Sequence, residues 1–586
     1  MTLYYEITPK SPHKHLFSVK ISVLNPNPLG QVFKLPNWIP GSYLIRDFAK
    51  NIVTISATSE GKEIPIHKLD KNNWIVSPSN TRIDVEYEFY AFDLSVRSAY
   101  LTNERAFFNG TSAFLVPLGF EDSECEVRVN MPNKDLVIGD WQCATTLKLK
   151  NQNSNFITYT AETYHDLIDH PVEIADFKII EFYAHQIPHK MTLTGIKCDV
   201  TERLKSDLIS ICEHHIRFFG DPIPFDNYLF LTLVRNKGYG GLEHKKSTSL
   251  ICSREDIPEM GMTLVSPEYT KFLALCSHEY FHAWWIKTIK PFNFHDFDYD
   301  QENYTEQLWI FEGFTSYYDE ISLLRTKILT PEQYLSLFSQ NITKLKRCNG
   351  RFKQSIAESS FDAWTKFYKQ DENATNSIVS YYSKGALLAF LLDIEIRIAT
   401  KDSKTLDDIV RYIWDNFRDD GLQNDSVKLA IEKLTSKDFT KFFNSYVYGV
   451  KELPLEGAFK YVGIECNFTH KKNDLSGFGI STKDENGLSL VSHVFDNSSA
   501  QNAGVYVGDT IVSVDNLKVS YGDLVSNVDS KSLGDTITLE VLRDGTNIAI
   551  EVEIIDTEKT FCTLTIVSMQ DPKTNYRQNK WFYHHS

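Results

Sequence analysis

Several things are scarce in this chain, and each scarcity narrows what it can be. Pro (20) and Gly (27) are few for 586 residues, which excludes collagen-like and linker-dominated chains. The nine cysteines are scattered from Cys125 to Cys562, odd in number and without CxxC spacing. They read as reduced thiols, not as a disulfide framework. Positive charge is short as well: 61 Lys and Arg face 77 Asp and Glu, a net charge of −16. That balance argues against nucleic acid or an anionic membrane surface as the main partner. No window approaches 18 uninterrupted apolar residues, so no membrane span is expected. The N-terminus, "MTLYYEITPKSPHKHLF", has no basic stretch followed by a long apolar run. No signal peptide is therefore expected, and the cytoplasm is the default compartment.

What is present is ordinary globular composition with a high aromatic share, 13%. The chain is too long for one core. Its texture predicts three domains and a multidomain α+β class. Residues 1–185 alternate apolar and polar positions in "LYYEIT", "LFSVKISVL" and "RIDVEYEFYAF", the pattern of an antiparallel sandwich or barrel. Residues 186–458 carry helical periodicity, as in "YTEQLWIFEGFTSYYDEISLLRT" and "SKGALLAFLLDIEIRIA". Residues 459–586 return to strand texture, with "GFGIST", "SLVSHVF", "DTIVSVDN" and "TITLEVLRDG" forming a compact module.

Within the middle segment stands "SHEYFHAWW", residues 277–285. On a helix, positions four apart lie on one face, about 6 Å from each other. His278 and His282 can therefore direct two imidazoles at one ion, with Glu279 beside them to take a proton from an activated water. This is the logic of HExxH in zinc hydrolases. The alternative is a buried helix that happens to contain histidines, but buried polar groups need partners. A third ligand must come from elsewhere. Position 288 is Thr, which excludes the metzincin spacing. Glu302 lies nearer the thermolysin-like spacing, in the polar "DYDQENY". Glu312 lies in the apolar "LWIFEGFTSYYDE", where an unpaired carboxylate is costly, and context favours it. Asp319, two turns further, returns to the same helical face and either orients a ligating histidine or is a surface acid.

Two more stretches gain meaning beside this motif. In "YGGLEHKKSTSL", Gly240 and Gly241 precede Glu243. Glycines let the backbone of an edge strand approach a ligand, and a carboxylate there can bind a substrate ammonium. In "YYSKGALL", Tyr382 opens a helix and can donate a hydrogen bond to an oxyanion. Taken singly, each of these is more often simple packing.

The order GGLEH, HExxHxW, EGFTSYY, YxKGA and a C-terminal PDZ-like module resembles the glycyl aminopeptidase family of zinc peptidases. "WIPGSYLIRDFAK", "DLIDHPVEIADF" and "VYGVKELPL" also look like that family, so the resemblance covers nearly the whole chain. It implies an N-terminal β domain, a thermolysin-like, mainly helical catalytic domain and a PDZ-like domain. More distant membrane-alanyl aminopeptidases have GxMEN where this sequence reads GGLEH, so His244 stands in place of Asn. The interval to Glu312 is also longer here, which fits an inserted loop at 287–303.

The residue chemistry and the resemblance together imply one Zn2+ per chain on His278, His282 and Glu312. Glu279 serves as proton acceptor, Tyr382 as oxyanion donor and Glu243 as the anchor for a free N-terminus. The expected activity is removal of small N-terminal residues, Gly or Ala, from peptides. An endopeptidase is the enzymatic alternative, and a peptide-binding scaffold the non-enzymatic one. "GFGI" (Gly477, Phe478, Gly479, Ile480) looks like a PDZ carboxylate loop that receives a peptide C-terminus, or else belongs to a closed structural module. Tyr43 and Arg46 in "WIPGSYLIRDF" either reach the mouth of the active site or make an interdomain contact.

Overall fold

The computed structural model describes residues 2–196, 201–259, 261–471, 474–568 and 571–583. By internal contact the chain forms two compact units. The first runs to Asn303 and includes Trp414–Gly421; the second holds Tyr304–Ile413 and the chain from Leu422 onward.

The first unit begins as a β-sandwich. An eight-stranded sheet runs in the order Lys148–Gln152, Phe156–Ala161, Glu124–Asn130, Thr2–Ser11, Leu16–Val23, Ile83–Tyr90, Ile52–Ser59, Lys62–Ile64. Two four-stranded sheets accompany it. Alternation drives the assembly: Ile83, Val85, Tyr87 and Phe89 of one strand are buried in the shared core, while Glu86 and Tyr90 are exposed. The expectation of an antiparallel domain meets one exception, since Thr2–Ser11 and Glu124–Asn130 pair in parallel. The chain joining them is long, so no hairpin dictates their direction.

A five-stranded sheet follows, in the order Phe177–Ala184, Ile187–Thr194, Tyr228–Arg235, Ser247–Ser253, Gly240–Glu243. Its hairpin pairs Ala184 with Ile187, so pairing continues across residue 185, where the sequence texture changes. The helical periodicity expected beyond that point does not extend to these strands. Tyr228–Val234 is buried at every position between two parallel neighbours. A strand covered on both faces reads as a plain apolar run, which periodicity cannot tell from a buried helix. Gly240–Glu243 closes the sheet as an antiparallel edge strand. The helix Pro267–Phe281 contacts that strand; Ser266 caps it by accepting from the Tyr269 N–H, and Pro267 opens it.

In the second unit the helices Leu308–Arg325 and Tyr381–Thr400 cross where two glycines meet. A Cβ on Gly313 would lie 2.5 Å from the Gly385 Cα, and one on Gly385 would lie 2.7 Å from the Gly313 Cα. The two backbones therefore touch, and neither position has room for a methyl group. The stretch Ala374–Thr400 is long and apolar enough to cross a membrane by length and composition, but 78% of its most apolar window is buried inside the fold. It is a core helix here.

The C-terminal module is a six-stranded sheet whose main path runs Ile480–Glu485, Leu488–Val494, Thr510–Val514, Thr536–Arg543, Thr546–Glu553. Its core includes Phe478, Ile480, Val491, Ile511 and Leu539. The expected C-terminal tail is an ordered helix, Pro572–Tyr583. Its Trp581 is fully buried and donates its indole N–H to the Tyr317 hydroxyl at 3.0 Å.

Gly385→Ala tests the helix crossing. Alanine favours a helix over glycine by about 1 kcal/mol, yet overpacking at backbone contact costs about 1–3 kcal/mol. The variant melts several degrees lower than the native chain in a thermal scan. A rise in the melting midpoint would show that the crossing has slack.

Candidate functional site

The helix carrying the motif ends at the motif itself. Regular helix stops at Phe281, and His282 is the C-cap, its N–H donating to the His278 carbonyl at 3.3 Å. A helix continued through "HAWW" on its apolar pattern would be too long by a turn. Trp284 and Trp285 turn inward and are fully buried, with Trp284 stacked on Phe219 at 5.0 Å between ring centroids. Ile286 then takes a left-handed backbone (φ 95°), an uncommon conformation for a β-branched residue.

This ending fixes one imidazole. His282 Nδ1 lies 2.9 Å from the Trp285 carbonyl oxygen, which can accept but not donate. Nδ1 therefore carries the proton, and Nε2 presents its lone pair. The His278 and His282 rings stand 4.7 Å apart and nearly perpendicular.

The edge strand defines the other wall. A Cβ on Gly241 would fall well inside contact distance of the Glu279 carboxylate. The close approach expected of the glycine pair is made by Gly241, and what it approaches is Glu279. Gly240 has no such constraint, for its Cβ direction is open as far as Arg97 Nη1 at 3.9 Å. Glu243 is buried, and Gly41 covers it: a Cβ there would lie 2.6 Å from each carboxylate oxygen, and Gly41 has φ +88°. Within the first unit, Glu243, Glu279 and His282 bring one ligand atom each to within 4.8 Å of one another. Histidine nitrogens and carboxylate oxygens in such clusters are the donor set of a tetrahedral zinc site.

Behind Glu243 lies a charged cluster. Asp169 accepts from Lys287 Nζ at 2.6 Å and from the Lys245 N–H at 2.9 Å, and faces His244 Nδ1 at 3.4 Å. Burial pushes its carboxyl up, but Lys287 and His244 outweigh it and hold the group far below the usual carboxylate range. Burial lowers the His244 pKa, against the pull of Asp169.

Glu312 is buried on the helix Leu308–Arg325. Asp319 is buried too, which rules out the surface-acid reading. Its neighbour Glu320 is pushed up to about 8, by burial first and then by the Asp319 charge. Glu302 lies in an irregular segment and is not in the group of Glu243, Glu279 and His282. Tyr382 is half-buried in the first turn of Tyr381–Thr400, stacked on Tyr381 at 4.7 Å and on Phe367 at 5.7 Å.

Two readings left open by the sequence are narrowed. The loop Gly477, Phe478, Gly479, Ile480 does not offer a row of free donors, because the Gly479 and Ile480 N–H groups both go to the Leu475 carbonyl. Phe478 and Ile480 are buried in the module core, and Gly479 (φ +99°) leaves no room for a Cβ against Ser498. In "WIPGSY" Gly41 meets the Glu243 carboxylate. Tyr43 is buried against Phe294, and Arg46 donates to Ser42 Oγ at 2.8 Å. Sequence reasoning missed Gly41 and Arg97; the glycine between Pro40 and Ser42 was the available signal for the first, and nothing local marks the second.

Residues 4–176 match the Peptidase M61 N-terminal domain, 271–388 the M61 glycyl aminopeptidase family, and 476–554 the PDZ domain. The crystal structure of an aminopeptidase N family protein from Idiomarina loihiensis is 36% identical, with a TM-score of 0.94 over 99% of this chain and 100% of that one. The M1 zinc metallopeptidase from Deinococcus radiodurans is a remoter likeness, 13% identical with a TM-score of 0.48 over 78% of this chain and 95% of that one. No curated protein matches the chain.

The glycine contacts predict a three-way contrast in variant crystal structures. Gly241→Ala displaces the Glu279 carboxylate and Gly41→Ala that of Glu243, each by about an ångström or more, since neither carboxylate can share space with a methyl group. Gly240→Ala leaves both in place. A Gly241→Ala structure with Glu279 unmoved would show that the strand yields instead.

Proposed function

The chain belongs to the M61 glycyl aminopeptidase family, and from that premise we propose that it is a zinc-dependent aminopeptidase that releases small N-terminal residues, Gly or Ala, from peptides. In this reading His278, His282 and Glu312 hold the metal, within a catalytic domain at 186–458. The observation that carries it is the pair His278 and His282 at one helix end, with His282 Nε2 turned out by the Trp285 carbonyl and Glu279 and Glu243 grouped beside it. A divalent zinc bound there supplies Lewis acidity toward a water and a scissile carbonyl.

The rest is done by the chain's own residues. Glu279, pinned against Gly241, takes the proton of the attacking water and passes it to the leaving amine. Tyr382 donates a hydrogen bond to the developing oxyanion. Glu243 binds the substrate ammonium, and the Gly41 loop closing over it gives the cleft a blind end, which favours the exopeptidase reading over the endopeptidase one. Asp319, buried two turns from Glu312, is suited to orient a ligand.

Metal analysis and mutation test the ligand set. Purified protein carries about one zinc per chain, and chelation abolishes hydrolysis. Glu312→Gln loses metal or activity, whereas Glu302→Gln keeps both; the opposite result would transfer the third ligand to Glu302.

Kinetics separate the remaining roles. Glu279→Gln retains zinc and substrate affinity but loses several orders of magnitude in turnover. Tyr382→Phe loses on the order of a hundredfold, also in turnover. Glu243→Ala raises KM for free aminoacyl anilides, and N-acetylated substrates are not cleaved by the native enzyme. Efficient cleavage of acetylated peptides would overturn the aminopeptidase assignment in favour of an endopeptidase.

A further inference from the structure

Arg97, contributed by the β-sandwich, lies at the rim of the edge strand. It is half-buried, and its Nη2 donates to the Gly241 carbonyl at 3.3 Å. Its Nε is buried without a hydrogen-bond partner, and among the described residues the guanidinium makes no ion pair. In a chain of net charge −16, a partly dehydrated guanidinium with no carboxylate partner stands out. Such a fork is shaped to receive a carboxylate through parallel N–H···O bonds.

The strand geometry indicates which carboxylate. The Gly241 carbonyl turns outward to Arg97, and in an antiparallel pair a residue's N–H points the same way as its C=O. Gly241 therefore offers both groups to a peptide that adds to the sheet edge. Glu243 lies two residues along the same strand, about 6.6 Å away at the rise of a β-strand. An extended dipeptide spans about the same length. With its ammonium at Glu243, its carboxylate arrives beside Gly241 and Gly240, where Arg97 stands.

We propose that Arg97 binds the C-terminal carboxylate of dipeptide substrates, so that the enzyme reads both ends of a short peptide. This rests on the aminopeptidase reading and narrows its substrate class to dipeptides.

Affinity measured by calorimetry on the zinc-loaded Glu279→Gln protein tests it without turnover. Ala-Ala binds at least about tenfold more tightly than Ala-Ala amide, the scale of one charge-assisted contact. Adding Arg97→Met reduces that preference to below about twofold, and Arg97→Lys keeps part of it. Equal affinity for acid and amide, or a preference that survives Arg97→Met, would overturn the proposal and leave Arg97 a structural contact to Gly241. The acid-to-amide comparison on the chain that keeps Arg97 decides the matter even where Arg97→Met fails to fold. Hydrolysis of alanine anilide by the native enzyme keeps the two levels apart, since it has no carboxylate. Anilide cleavage with equal acid and amide binding defeats the dipeptide proposal alone. Failure to cleave both anilide and dipeptide defeats the aminopeptidase reading and this proposal with it.

Discussion

Glu279 sits where a helix ends against the edge of a sheet, and its carboxylate cannot move toward the strand because the Gly241 backbone already fills that space. A buried carboxylate is costly unless its surroundings are arranged for it. Here the arrangement propagates outward. The strand must carry glycine at 241 and sit at the sheet edge, where the Gly241 carbonyl accepts from Arg97. The helix must stop at Phe281, so that the Trp285 carbonyl can turn back to His282 Nδ1. The buried indoles of Trp284 and Trp285 hold that turn, and the positive φ of Ile286 is the strain that accompanies it.

The β-sandwich is part of the site. Gly41 closes over Glu243, and Arg97 reaches the Gly241 carbonyl. Both come from loops more than a hundred residues upstream of the strand they meet. The positive φ of Gly41 places its backbone where any side chain would strike the carboxylate, so a conformation that favours glycine and a contact that requires it coincide there. In the proposed mechanism, substrate preference thus depends on the N-terminal domain as much as on the HExxH motif.

What could be read from the sequence was what is local. His278, Glu279 and His282 declare themselves by four-residue spacing, and the sandwich strands by alternation. Glu312 was preferred to Glu302 because an apolar helix makes an unpaired carboxylate costly, and Asp319 is buried along the same helix. The parallel strands at 187–253 were hidden because burial on both faces erases alternation. The helix end at Phe281 was hidden because "HAWW" continues an apolar pattern while its rings are drawn to Phe219 and the core. Arg97 was invisible for a different reason: its role depends on an acceptor 144 residues away.

The C-terminal module raises the question of what a PDZ domain does when its carboxylate loop is folded back on itself. With the Gly479 and Ile480 N–H groups committed to Leu475, capture of a peptide C-terminus would first require those bonds to break. The same module is tied to the helical region of its unit by reciprocal bonds to one side chain: Asn376 Nδ2 donates to the Val494 carbonyl at 2.8 Å, and Asn376 Oδ1 accepts from the Asp496 N–H at 2.9 Å. Lys353 pairs with Asp496 and Arg347 with Asp474 alongside. Asn376 stands six residues before Tyr382, in the segment that leads into its helix. A module whose recognition loop is closed and whose contacts fall on that segment is better placed to brace the start of the Tyr382 helix than to recruit a second peptide. The position of Tyr382, the oxyanion donor of the proposed mechanism, is then set in part by a module that carries none of the other groups proposed to react.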